Sequence, residues 1–210
     1  MNSIESLEWR YACKKFDETK IVPEKKLTIL KKAFNLTATS FGLQPIKMLI
    51  LKNKELQQKL VAHCYGQEQV ANASHVLVIC IEDDTTVKDI NDYFDREKSI
   101  RGTSEKIIAP FRKFLTESFA QKTLEEKQQS AIYQAYIVLG NLMTICALEK
   151  IDNCPMEGFV PEKIDEILEL KKRKLKSVLL LPIGYRADDD LMSKLKKVRK
   201  PLEETVIIIK

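Results

Sequence analysis

The apolar positions of the chain fall into helical stripes and short solid runs. Leu27, Leu30, Ala33 and Phe34 recur at helical spacing, which predicts a helix that Pro23 opens and that runs out near Asn35. Ser3 to Arg10 reads as a shorter helix, with Ser3 as its N-cap and Glu5 and Glu8 lending negative charge to the first turns. Further short helices are predicted over Lys54 to His63 and Pro161 to Leu168, and a basic helix or turn, stopped by Pro201, over Leu191 to Val198. Ile46 to Leu51, His75 to Ile81, Val178 to Tyr185 and Val206 to Ile209 are apolar runs of strand length. The run at His75 is apolar on both faces and belongs at the centre of a sheet, whereas Pro182 limits the pairing of the third run.

Thr86 to Ala120 is helical in pattern but charged, and it is interrupted at Gly102 and Pro110, so two covering helices are expected there. Leu124 to Lys150 predicts one long helix, apolar around most of its circumference from Ile132 onward. Such a helix needs burial against a core or a partner subunit. Gly140 within it costs about 1 kcal/mol relative to alanine and marks a place where another backbone can come close. No repeat and no low-complexity linker divides the chain, so one α+β domain is expected over residues 1–210.

Composition narrows the function classes. A hydrophobic content of 44% with 31% charged residues is ordinary for a globular domain. The acidic, amphipathic N-terminus is unlike a signal peptide, and no apolar run looks long enough to span a bilayer. Five cysteines without a C-x-x-C pair suit a reducing cytoplasm, and Cys80 and Cys146 read as small buried hydrophobes. The net charge of +5 is concentrated late, at Lys171-Lys172-Arg173-Lys174 and from Lys194 to Lys200, which raises a nucleic-acid reading; the 7% aromatic content, not interleaved with basic residues, argues against it. His63 and His75 lack metal-ligand spacing, and no P-loop, dinucleotide fingerprint or G-x-S-x-G elbow occurs. An enzyme with this inventory leaves the chemistry to a bound cofactor and uses no metal.

Four polar sets are candidates for holding it. Asn153 to Phe159 cannot be helical, because Pro155 removes a donor and Gly158 is free to take positive φ. The turn Pro155-Met156-Glu157-Gly158 either aims backbone N–H groups at the edge of a flat ligand or simply joins two helices. Arg10 and Lys14 share a face if the first helix continues, and Lys197 and Arg199 form a second cation pair; each pair is either a phosphate site or a solvated edge. Thr39, Ser40 and Gln44 place hydroxyls and an amide before the first strand, and Gln67 and Gln69 place amides before the central one. Turn chemistry and solvent exposure explain these equally well.

The ordered set Arg10-x-x-x-Lys14-x-Phe16, Ser40-x-x-x-Gln44-Pro45, Pro155-Met156-Glu157-Gly158-Phe159, Leu181-Pro182-x-Gly184-Tyr185 and Lys197-x-Arg199-x-Pro201 resembles the FMN-dependent nitroreductase family over essentially the whole chain. The resemblance implies a mixed sheet of about four to five strands flanked by helices, in a homodimer that shares the flavin and exchanges its C-terminal strand. It further implies that Arg10, Lys197 and Arg199 bind the FMN phosphate and that Lys14 reaches the pyrimidine edge, where a cation stabilises the reduced, anionic ring. The loop from Thr39 to Gln44 is then expected along phosphate, ribityl chain and ring edge, and Met156 to Gly158 at the N5 and O4 side. Ala12 stands where many relatives carry a serine, Gly42 where they often carry an asparagine, and Gln67 or Gln69 substitutes for their ring-edge asparagine or lysine. Residues 86–124, the expected cover of the pocket, are where the resemblance is thinnest.

The activity implied is NAD(P)H-dependent, ping-pong reduction of nitroaromatics, quinones or similar small acceptors, with NADH or NADPH as donor. A flavin-binding protein with little turnover is the alternative, since the same loops would serve both.

Overall fold

The computed structural model describes residues 2–209. Four strands form one sheet in the order β1-β2-β4-β3: β1 (Ile46–Leu51), β2 (His75–Glu82), β3 (Asp152–Asn153) and β4 (Leu175–Gly184). Every ladder is antiparallel. A parallel component enters only through the isolated bridge between Ala12 and Asn153. β2 lies between β1 and β4 and is buried from His75 to Ile81, as its two-faced apolar pattern requires.

Nine α-helices surround the sheet among the described residues: α1 (Ser3–Trp9), α2 (Glu24–Leu36), α3 (Lys54–Val61), α4 (Gln69–Asn72), α5 (Val87–Arg101), α6 (Glu105–Gln121), α7 (Leu124–Leu148), α8 (Pro161–Ile167) and α9 (Leu202–Thr205). Strand alternation divides the core in two. Leu77, Ile79, Leu181 and Ile183 face Leu30 of α2 and Val138 and Leu142 of α7. Val76, Val78, Cys80 and Leu180 face Leu60 of α3, Val70 of α4 and Ile164 of α8. The register slips between Ile79 and Cys80, where Ile79 pairs with Leu179 but Cys80 pairs with Ser177. The bulged strand therefore changes faces, and Leu175 joins the second core although Leu179 belongs to the first. A third, smaller core of Ile90, Phe94, Ile108 and Leu115 joins α5 to α6.

Several expected boundaries move for identifiable reasons. Asn2, not Ser3, caps α1, because its side chain and that of Glu5 form a reciprocal capping box. The helix stops at Trp9, so Arg10 and Lys14 do not share a helical face; both lie on extended chain beyond it. Gly102 does end α5, in the left-handed conformation, but Pro110 lies inside α6 and removes one hydrogen bond without ending the helix. The two-residue strand β3 is too short to show in any periodicity. Val206 to Ile209 forms no strand in this chain, and Ile207, Ile208 and Ile209 are 86%, 79% and 93% exposed.

The long helix α7 is apolar enough to cross a bilayer by length and composition, with a mean hydropathy of 1.6. The length expectation was therefore too strict, but the helix carries the first core on one face. Its other face leaves Tyr133, Tyr136 and Ile137 exposed, and among the described residues no neighbouring backbone approaches Gly140.

One ion pair joins these parts. Asp152, buried in β3, accepts Arg186 Nε and the Arg186 amide, both at 2.9 Å, just beyond the end of β4. The guanidinium lies 4.4 Å from the Trp9 ring centroid and 4.5 Å from that of Tyr11. Removing one partner strands the other charge in a site of low solvation. Arg186→Ala is expected to destabilise the fold by about 3 kcal/mol, measured as a lowered urea midpoint with an unchanged slope.

Candidate active site

The chain leaving α1 carries the first group of predicted residues. Arg10 caps the helix in extended conformation, with its Nε buried and without a hydrogen-bond partner. Lys197 donates to the Arg10 carbonyl oxygen from the C-terminal segment. Burial, then the neighbouring Arg199, pulls the Arg10 guanidinium below its ordinary value. Burial, then Arg10 and Arg199, does the same to the Lys197 ammonium. Three cations thus press on one another with no carboxylate bridging them among the described residues. The shallow groove between them, about 330 Å³, is lined by Ile4, Leu7 and Glu8, and the Glu8 carboxylate offsets part of the repulsion on Lys197. Such an arrangement is completed by an anion.

The second group gathers at the turn. Lys14 Nζ lies 3.6 Å from Cys154 Sγ, and Gln69 Nε2 lies 3.8 Å from the same sulfur. Gln69 also donates to Gln67 Oε1 at 2.9 Å, and Gln67 donates to the Gly158 carbonyl oxygen at 2.9 Å. Both glutamines therefore belong to the turn rather than to solvent. Met156 is committed elsewhere: its amide donates to Leu180 at 2.8 Å and its side chain is buried, so it extends the sheet edge beyond Cys154 and Pro155. The Glu157 and Gly158 amides donate to nothing among the described residues. Gly158 does not adopt positive φ. It lies close to the glutamine instead: a Cβ there would meet the mobile tip of Gln67, Nε2, at 2.9 Å.

Thr39, Ser40 and Gln44 form a third group with its own partners. The Ser40 amide donates to Gln134 Oε1 on α7 at 3.1 Å, the Gln44 amide to Thr39 Oγ1 at 3.3 Å, and Gln44 Nε2 to the Asn35 carbonyl at 2.9 Å. Phe41 and Gln44 both carry left-handed backbone, at φ of 56° and 50°. Strain of this kind collects at functional loops. Among the described residues of one chain they hold no hydrogen bond to the Arg10 or Lys14 groups.

Sequence reasoning missed the residue that shapes the first two groups. Asp190 is buried and accepts the Tyr11 hydroxyl at 2.9 Å, the Lys14 amide at 3.0 Å and the Lys15 amide at 3.3 Å. It also accepts the Met192 amide at 3.0 Å. Burial pushes its carboxyl upward, but the donors outweigh that and hold it below the ordinary value. In the sequence it is one of three consecutive aspartates, and nothing local distinguishes it. Asn153 is the other omission: buried, bonded through its carbonyl to the Cys13 amide at 3.0 Å, with both side-chain polar atoms unpartnered.

No side chain here is a ready nucleophile. Burial raises the Cys154 thiol even with Lys14 and Gln69 beside it, and pushes that of Cys146 up to about 12. His75 is a structural residue, buried with Nδ1 at 2.8 Å from Ser74 Oγ. No metal-ligating cluster occurs among the described residues. A roomier cavity of about 870 Å³ lies elsewhere, between acidic and basic side chains such as Asp165, Glu169 and Lys172, and touches none of these groups. The arrangement offers a positive pole for a phosphate, a cation and amides for the edge of a flat polar ring, and no protein group to perform the reaction.

Residues 7–185 match the Nitroreductase family, and the chain belongs to that family. It is 30% identical to a candidate NAD(P)H nitroreductase of Staphylococcus epidermidis, over 92% of each chain. It is 29% identical to the major NAD(P)H-flavin oxidoreductase of Aliivibrio fischeri, over 98% of each chain. Its fold matches a candidate nitroreductase of Exiguobacterium sibiricum, solved in complex with FMN, with a TM-score of 0.84 at 18% identity, covering 100% of this chain and 98% of that one.

Asp190→Ala is expected to lower stability by about 3 kcal/mol at neutral pH, since the amides of Lys14 and Lys15 lose their acceptor. The Asp190 carboxyl is depressed in the folded chain, so its contribution is full above about pH 4 and is lost as pH falls through the depressed value. Thermal unfolding of both proteins between pH 7 and pH 3 should show the difference between them shrinking toward the acid end.

Proposed function

We propose that this chain is an NAD(P)H-dependent oxidoreductase that uses FMN and reduces small acceptors such as nitroaromatics and quinones. The observation that carries the reading is the unmatched cation set of Arg10, Lys197 and Arg199, joined to a turn whose Glu157 and Gly158 amides are unclaimed. The orphaned Arg10 Nε fits a phosphate, and the residues present suit FMN rather than FAD because no adenine-binding fingerprint accompanies them. Arg10, Lys197 and Arg199 would hold the phosphate; Lys14, with Gln67 and Gln69 behind the turn, would hold the polar edge of the ring. When bound, FMN supplies two-electron transfer between the nicotinamide and a second substrate that takes its place, a ping-pong cycle. The FMN complex of the Exiguobacterium protein and the name of the Aliivibrio enzyme support this reading.

The working unit is a homodimer. Ser40 and Gln44 meet neither cation group within one chain, so a site that uses all three groups takes its loop from a second subunit. Tyr133, Tyr136 and Ile137 leave the outer face of α7 uncovered, and the tail from Val206 to Ile209 is an exposed apolar segment outside the sheet. Among the described residues β1 has only β2 as a neighbour, and its other edge can accept such a segment from the partner as a strand.

The purified protein is expected to be yellow, to release FMN on denaturation and to be bleached by NADH or NADPH in stopped flow. A stable yellow colour that neither nicotinamide bleaches would favour a flavin carrier. Arg199→Ala should weaken FMN binding roughly tenfold or more, the worth of one charge-assisted contact. Unchanged affinity would remove Arg199 from the phosphate site.

Deletion of residues 202–210 is expected to give a monomer that retains no FMN, as read by sedimentation and absorbance. A truncated chain that stays dimeric and yellow would show that α7 alone makes the interface.

A further inference from the structure

A separate cavity of about 180 Å³ lies between α5 and the Ser40–Gln44 loop. Its wall combines Gly42 and Gln44 from the loop with Tyr93, Arg96, Glu97, Ile100 and Arg101 from α5. The loop side is held firmly. Gly42 sits at φ +72°, and a Cβ on it would fall 2.8 Å from the Tyr93 ring, so only glycine lets the loop backbone lie against that ring. Tyr93 is braced from behind by Phe94, edge-on with centroids 5.1 Å apart. Gln44 is anchored through its side chain to the Asn35 carbonyl.

The charges are not balanced. Arg101 is paired with Glu97 at 3.1 Å, whereas Arg96 is exposed and donates to no carboxylate among the described residues. The other acids of α5 are engaged elsewhere: Asp89 in the cap with Thr86, Asp92 with Lys88, and Asp95 with Arg112. The cavity therefore presents one guanidinium, that of Arg96, with no carboxylate partner among the described residues, an Arg101–Glu97 pair that is neutral overall, the Tyr93 phenol and an aliphatic side chain. A planar guanidinium binds carboxylate or phosphate through two parallel bonds, and the phenol and Ile100 suit a ring attached to that anion.

We infer that this cavity is a subsite for an anionic group carried on a ring, a phosphate or carboxylate, and that it selects among the small molecules brought to the site. The inference rests on the FMN-oxidoreductase reading, because it is the Ser40–Gln44 loop that ties the cavity to the flavin. Two sources offer such a group: the 2′-phosphate of NADPH on its adenosine, and the carboxylate of an aromatic acceptor. Arg96 is the specificity-determining residue in either case.

The test compares the full-length wild-type protein with Arg96→Gln and Arg96→Lys. Binding of 2′,5′-ADP and of 4-nitrobenzoate is measured by calorimetry, and the KM ratios of NADPH to NADH and of 4-nitrobenzoate to nitrobenzene are measured in steady state. Arg96→Gln should weaken at least one probe roughly tenfold and shift the matching KM ratio by a similar factor, with Arg96→Lys in between. A shift confined to the nucleotide names NADPH as the source, and one confined to nitrobenzoate names the acceptor. Wild-type protein that binds neither probe, or variants that bind both as tightly as wild type, would overturn the inference. Wild-type protein without flavin or nicotinamide oxidation would instead defeat the oxidoreductase reading, and calorimetry would still report on the cavity itself.

Discussion

The pair between Asp152 and Arg186 is the interaction on which the arrangement depends. Asp152 sits in the two-residue strand β3, and Arg186 follows the end of β4. Their contact fixes where the chain leaves α7 and where it leaves the sheet, and the Arg186 guanidinium then carries Trp9 and Tyr11 on its faces. An ion pair of this burial adds little net stability, because desolvation offsets most of the attraction. Its value is positional. Cys13, one residue before Lys14, bonds to Asn153, one residue after Asp152, so the same junction locates Lys14 against the turn.

Asp190 completes that placement from the opposite side. Its carboxylate gathers the Tyr11 hydroxyl and the amides of Lys14 and Lys15, which straightens the segment that carries Arg10 and Lys14. The C-terminal segment that begins at Asp190 goes on to bring Lys197 and Arg199 over Arg10. One stretch of chain therefore supplies both the anchor for the first cation group and the cations that complete it. The mutual repulsion of those cations is a standing cost in the chain alone, and a bound phosphate would remove it.

The division of donors between elements has a functional meaning. Arg10, Lys14 and the turn lie in one group, while Ser40 and Gln44, pinned to α7 and α2 through Gln134 and Asn35, lie in another, and the proposed function needs both. The exposed face of α7 and the unpaired apolar tail are the surfaces through which two copies can bring such groups together. The α5–α6 pair, with its own small core, stands beside the loop and contributes the cavity that holds Arg96.

Much of this was legible in the chain. The two-faced apolar run at His75 placed the central strand, the helical stripe from Leu27 to Phe34 placed α2, and the apolar circumference of α7 announced a helix that wants two partners. These follow from local periodicity, which survives folding. The motif order carried the family. Periodicity could not reveal β3, which is two residues long, nor the bulge at Val178 that turns β4 over. It also misjudged Gly158, which does not take positive φ and lies close against the Gln67 side chain. Asp190 and Asn153 were invisible for a further reason. Their roles are contacts across about 180 and 140 residues of chain, as separations of 176 between Asp190 and Lys14 and the bond from Cys13 to Asn153 show. The sequence by itself determined which segments are helix, strand and turn and which side chains carry charge; tertiary structure decided which of those charges meet, because only folding brings the two ends of the chain to one place.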